Sequence, residues 1–97
     1  MSPKQAVEFV QRCVEREDYF LRDHFEQRMS ERALFWPDVL AVVEQPGSVR
    51  ADGEDEYGRP RWFLRGRTTG NLEIEILCVF EREGTDTVIF WTIYWDD

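Results

Sequence analysis

His24, Arg28 and Arg32 recur at four-residue intervals and include the chain's only histidine. On a helix each such step turns the face by roughly 40° and rises about 6 Å, so the three side chains form one cationic stripe about 12 Å long. Guanidinium groups in that arrangement can hold a phosphate or carboxylate through paired N–H donors. An imidazole, with an ordinary pKa of about 6.5, can take or give a proton near neutrality. Together these residue types could bind an anion and move a proton beside it, chemistry that commonly pairs a base with a separate acid. The stripe offers a single acid–base group, and the candidate second acids, Tyr57 and Tyr94, are distant in sequence. Glu31 lies about 20° from His24 on the same face, where an i,i+3 pair with Arg28 worth about 0.2–0.5 kcal/mol gives these residues an ordinary surface role.

The stripe needs a helix to carry it. Asp23 can cap one, with Glu26 at its third position, and Phe25, Met29 and Ala33 form an apolar stripe about 100° from His24 that turns one side to a core and leaves the cations outside. Before it, Ser2-Pro-Lys-Gln5 reads as a capping box opening a helix to about Arg16, with Ala6, Val7, Val10, Cys13 and Val14 on its inner face. Tyr19-Phe-Leu is a short strand or connector. Pro37 and Asp38 start a third helix that stops near Gln45, because Pro46-Gly47 cannot continue it.

The rest reads as loop and strand: an acidic loop over 51–60, then strands at about 61–68, 72–82 and 87–95. The loop lacks the pattern of a calcium-binding turn, so no metal site is expected there. A three-residue turn at Thr69-Gly70-Asn71 sets Leu64 opposite Ile76 and Trp62 opposite Cys78, gathering apolar residues on one face. The other face then pairs Arg67 with Glu73 and Arg65 with Glu75, which gives those arginines a structural role. Continuing the pattern places Ile89, Trp91, Ile93 and Trp95 under the helices. Phe63, Leu77, Val79, Val88 and Phe90 fall on the opposite face as an apolar island rimmed by Arg61, Arg65, Glu75 and Tyr94, a surface that calls for a cover, partner or ligand.

Length and charge bound what such a chain can be. Ninety-seven residues suffice for one domain with a single core, taken as residues 1–97. A net charge of −8 opposes general attraction to nucleic acid, so any RNA contact needs a local basic cleft. Cys13 and Cys78 form no metal-binding or redox motif, and no apolar run has the roughly 18 residues a membrane span needs, so a soluble cytoplasmic protein without cofactor or metal is expected. Phosphate-binding glycine loops, GxSxG and HExxH are absent from the sequence.

The run His24-x-x-x-Arg28-Met29-x-x-Arg32, followed by Asp38-Val39 and a last strand from Val88 to Tyr94, resembles an uncharacterised bacterial domain family grouped with RelE/ParE-like and BrnT-like toxins. The resemblance implies an α+β fold of the RelE-like kind, with N-terminal helices packed on one face of a three- to four-stranded antiparallel meander sheet. It also implies metal-independent RNA cleavage with His24, Arg28 and Arg32 as the working residues, and an antitoxin as the natural partner. The acidic charge departs from the basic character of active relatives. That departure supports an alternative, a non-enzymatic module of the same fold that uses Arg61, Phe63, Leu77, Val79, Val88, Phe90 and Tyr94 to dimerise or hold a protein partner.

Overall fold

The computed structural model describes residues 1–96, which form three helices and a five-stranded mixed sheet. Helix α1, Pro3–Glu15, starts as its sequence dictates: the Ser2 hydroxyl accepts from the Gln5 N–H at 3.2 Å and the Gln5 side chain accepts from the Ser2 N–H at 2.8 Å. Ala6, Phe9, Val10 and Cys13 are its buried face. Helix α2 spans Asp23–Glu31, and its N-cap is Arg22 rather than the expected Asp23, with no side-chain capping bond. Asp23 is instead the first helical residue, where its charge still suits the positive helix end. The helix closes at Glu31. Ala33, expected on the apolar stripe, lies beyond the end at φ 52 and is exposed, while Leu34 folds back with its N–H on the Met29 carbonyl and enters the core.

Helix α3, Trp36–Glu44, begins with Pro37 in its first turn and with the Asp38 carboxylate accepting from the Phe35 N–H at 2.9 Å. Val39, Val42 and Val43 are buried. All three helices supply side chains to a single core on one sheet face, with Leu64, Ile74, Ile76, Cys78 and Phe80 beneath them. Gly66 marks the closest approach of sheet to α3: a Cβ there would meet Val42 Cγ1 at 3.3 Å and the Gln45 carbonyl at 3.4 Å. No helix among the described residues is long and apolar enough to cross a membrane.

The strands are β1 Tyr19–Leu21, β2 Ser48–Glu54, β3 Pro60–Arg67, β4 Glu73–Glu81 and β5 Thr87–Trp95, in the order β1-β5-β4-β3-β2. Two of these enlarge the antiparallel meander expected from sequence. Short β1 joins β5 in parallel, and β2 pairs with β3 across residues placed partly in the expected acidic loop, which shortens to 55–59. The β3–β4 register follows the apolar pattern: Trp62 faces Cys78, Leu64 faces Ile76, Arg65 faces Glu75 and Arg67 faces Glu73.

The β4–β5 register departs from the simple pattern. Ile74 faces Trp95 and Ile76 faces Ile93, but a bulge then leaves Trp91 unpaired, so that Cys78 faces Phe90 and Phe80 faces Val88. One extra residue exchanges the faces of everything beyond it, because side chains alternate with period two. Val88 and Phe90 are therefore fully buried in the core under the helices, not on the open face. Aromatic packing rewards the exchange, since Phe90 meets Phe25 at 5.4 Å, Trp36 at 5.6 Å and Tyr19 at 6.2 Å between ring centroids.

Candidate functional site

Helix α2 is oriented by Phe25, which is fully buried, and by Met29, which is partly buried against the core. That orientation brings Arg28 down onto β5 and leaves His24, one turn earlier, exposed. His24 makes no hydrogen bond or ion pair among the described residues. Arg28 is held on three sides. Its Nε–H donates to the Ile93 carbonyl at 3.1 Å, its terminal nitrogen meets Glu31 Oε2 at 3.2 Å, and its guanidinium carbon lies 4.2 Å from the centre of the Trp95 ring. Strand β1 has ended at Leu21 by this point, and Arg28 supplies a donor to β5 where no neighbouring strand does. Arg32, just past the helix, lies 5.3 Å from the same Trp95 ring. The stripe is thus a ridge on which two guanidinium groups share one indole, with an uncommitted imidazole at its upper end.

What the ridge can do is bind an anion. Further N–H groups on Arg28 remain undonated, and the ring and carbonyl fix the plane from which they project. A second proton donor is not brought close. Tyr94 stands on the opposite face of β5 from Trp95, with its ring 6.0 Å from Phe63, and Tyr57 is 75% exposed in the 55–59 loop. Sequence reasoning missed Trp95 as part of the ridge, although its register places that residue on the helix-facing side of the sheet.

The second candidate surface, the open sheet face, is built on different chemistry. Phe63, Leu77 and Val79 lie there, yet they are only 8%, 2% and 1% exposed. This chain's own side chains cover them. The Arg50 guanidinium lies 4.0 Å from the Phe63 ring centre and pairs with Glu75 at 3.1 Å, while Arg61 reaches Asp52 at 2.9 Å. Arg65 pairs with Glu73 at 3.3 Å and Asp96 at 3.2 Å, one step diagonal to the expected Glu75 partner. Glu75 is taken by Arg50 because β2 extends the sheet beside β3, partly through residues expected in the acidic loop. Arg67 donates to Asn71 rather than to Glu73. On this side of the sheet Phe20 in β1, paired with Ile89, is 58% exposed and Tyr94 is 47% exposed.

The 55–59 loop is a structural clasp. Asp55 accepts from the Tyr57 and Arg59 N–H groups and from Arg59 Nε at 2.7 Å, while Arg59 also meets Glu81 at 3.5 Å. Burial opposes ionisation of Asp55, but the hydrogen bonds from Arg59 and Tyr57 outweigh it and hold the carboxyl below its ordinary range. Asp38 is lowered too, by the Phe35 N–H and the Thr69 hydroxyl. Burial pushes the Cys13 thiol up to about 11 and Cys78 further in the same direction, so both thiols are inert at neutral pH. A cleft of about 710 Å³ between this loop and the β4–β5 turn, lined by Tyr57, Arg59, Phe80 and Arg82, contains none of the ridge residues. Among the described residues no cluster of His, Cys, Asp or Glu is arranged to hold a metal ion.

No curated protein matches the sequence. A family model described as a domain of unknown function, DUF4258, matches residues 21–95, from the last residue of β1 through α2 and the sheet to the end of β5, and the chain belongs to that family.

Proposed function

We propose that this chain is a RelE/BrnT-like toxin-type domain whose α2 ridge binds an RNA phosphate, with His24 as the proton-transfer group of metal-independent cleavage. The observation that supports it most is the fixed guanidinium of Arg28 beside an exposed, uncommitted imidazole. An anion arriving there meets a cation that is already ordered, which lowers the entropic cost of binding. With a net charge of −8 over the whole chain, the contact is local and weakens with salt.

In this scheme Arg28 and Arg32 hold the phosphate and His24 removes the 2′-hydroxyl proton. The 2′ oxygen bonds to phosphorus, the bond to the 5′ oxygen breaks, and water protonates the leaving oxygen to give a cyclic phosphate and a 5′-hydroxyl. A positioned general acid typically contributes about 10²–10⁴-fold, so cleavage that relies on water for this step is slow. RNA incubated with and without ribosomes, together with growth on expression, tests the reading. Wild type cleaves RNA or arrests growth, and His24→Ala and Arg28→Ala lose the effect with unchanged circular dichroism. Wild type that does neither overturns it.

A second reading, a non-enzymatic interaction module for an antitoxin-like protein or a second copy, is supported by the Arg28–Glu31 ion pair, which already neutralises part of the ridge. Its surface is the exposed Phe20 rather than the covered Phe63 patch. Sedimentation distinguishes it: Phe20→Glu converts an assembly to smaller species if the module reading holds, and an unchanged profile counts against it.

A further inference from the structure

We infer that Trp95 is a positioning residue of the ridge, one whose indole gathers Arg28 and Arg32 into a single anion-binding unit; this rests on the phosphate-binding reading given above. Two guanidinium groups lie over one ring, at 4.2 and 5.3 Å from its centre, although like charges repel. Glu31 offsets part of that repulsion at Arg28, and the negative face of the indole attracts both cations, Trp being the strongest aromatic partner for a cation. Trp95 is half-buried, with its lower part against the core, so it offers a firm platform that a surface residue could not.

The location fits the role. Trp95 faces Ile74 at the end of β5, and Ile93, two residues earlier on the same face, supplies the carbonyl that holds Arg28 Nε. One strand therefore fixes Arg28 twice, by a carbonyl and by a ring. The carbonyl sets its direction, and the ring sets its plane and its distance from Arg32. Trp95 touches no reacting atom in this scheme. It governs how well the two cations converge on a phosphate and leaves proton transfer at His24 unaltered.

The test measures binding of a fluorescein-labelled 2′-O-methyl oligoribonucleotide, which cannot be cleaved at the blocked hydroxyls, at low salt. Arg28→Ala weakens binding about tenfold or more; Trp95→Leu weakens it about fivefold, and Trp95→Phe, which keeps an aromatic face, stays within about twofold of wild type. Where cleavage is measurable, Trp95→Leu raises KM and leaves kcat and its pH profile in place, a pattern that loss of His24 does not give. The Arg28 Nε–H resonance adds a readout independent of catalysis: it moves on Trp95→Leu and much less on Trp95→Phe, and thermal melts show whether the leucine variant is folded. Wild-type affinity in Trp95→Leu alongside a large loss in Arg28→Ala overturns the positioning role alone. Equal affinity of wild type and Arg28→Ala, or no binding by wild type, overturns the phosphate reading and the role of Trp95 with it.

Discussion

The α2 ridge and the open sheet face both gather arginines, and they differ in what stands beside each one. On the open face Arg50, Arg59, Arg61 and Arg65 have carboxylate partners, and Arg50 also roofs the Phe63 ring. On the ridge Arg28 is held by Glu31, the Ile93 carbonyl and the Trp95 indole that Arg32 also approaches, and the His24 side chain is exposed. A count of arginines therefore says little about where an anion can bind. What matters is how each cation is held, and that depends on pairings across the fold.

The largest expected effect tests the bulge that separates the two surfaces. Phe90→Ala removes a fully buried ring among Phe25, Tyr19 and Trp36, and a loss of about 3–5 kcal/mol is expected in chemical denaturation. Had Phe90 stayed on the open face, the loss would resemble that of Phe20→Ala, about 0.5 kcal/mol or less. Similar values for the two variants contradict the register described here.

The clasp under the open face comes next. Asp55→Ala leaves the Tyr57 and Arg59 N–H groups and the Arg59 guanidinium without their acceptor, with a cost of about 1–3 kcal/mol at neutral pH. The folded carboxyl lies below its ordinary value, so its stabilisation is present above the unfolded pKa and is lost as pH falls through the folded one. Wild type and Asp55→Ala therefore converge in stability as pH falls below the ordinary carboxylate range. A gap that persists undiminished in acid argues against the clasp.

Most of the framework was legible in the sequence because local chemistry and tertiary packing agree there. The Ser2–Gln5 box, the Pro37 start, the stop before Pro46 and the β3–β4 register each follow from a few residues whose preference the fold satisfies. The bulge at Trp91 was not legible, since Val88 to Trp95 alternates apolar residues on both faces and either phase looks acceptable until the helices choose one. Strand β2 was hidden for a related reason. Asp52 and Glu54 read as solvated loop, and only pairing with β3 makes 48–54 a strand and gives Arg61 and Glu75 their partners. The stripe itself was visible as a helix face, but its anchoring to Ile93 and Trp95 depends on contacts about 65 residues away in sequence, a distance no local pattern encodes.

A smaller effect concerns the thiols. With Cys13 raised to about 11 and Cys78 buried, alkylation by iodoacetamide at pH 8 proceeds much more slowly in the folded protein than in urea-unfolded chain. Rapid labelling of the folded state would show that the α1–β5 contact at Cys13 opens readily.

The measurement closest to the central claim compares one arginine from each surface. Affinity for a labelled, uncleavable oligoribonucleotide is read at about 50 mM salt for wild type, Arg28→Ala and Arg65→Ala, where electrostatic contacts are only moderately screened. The account predicts a loss of about tenfold or more for Arg28→Ala and a change within about twofold for Arg65→Ala, whose charge is already held by Glu73 and Asp96. Equal losses in the two variants, or a larger loss for Arg65→Ala, would contradict it.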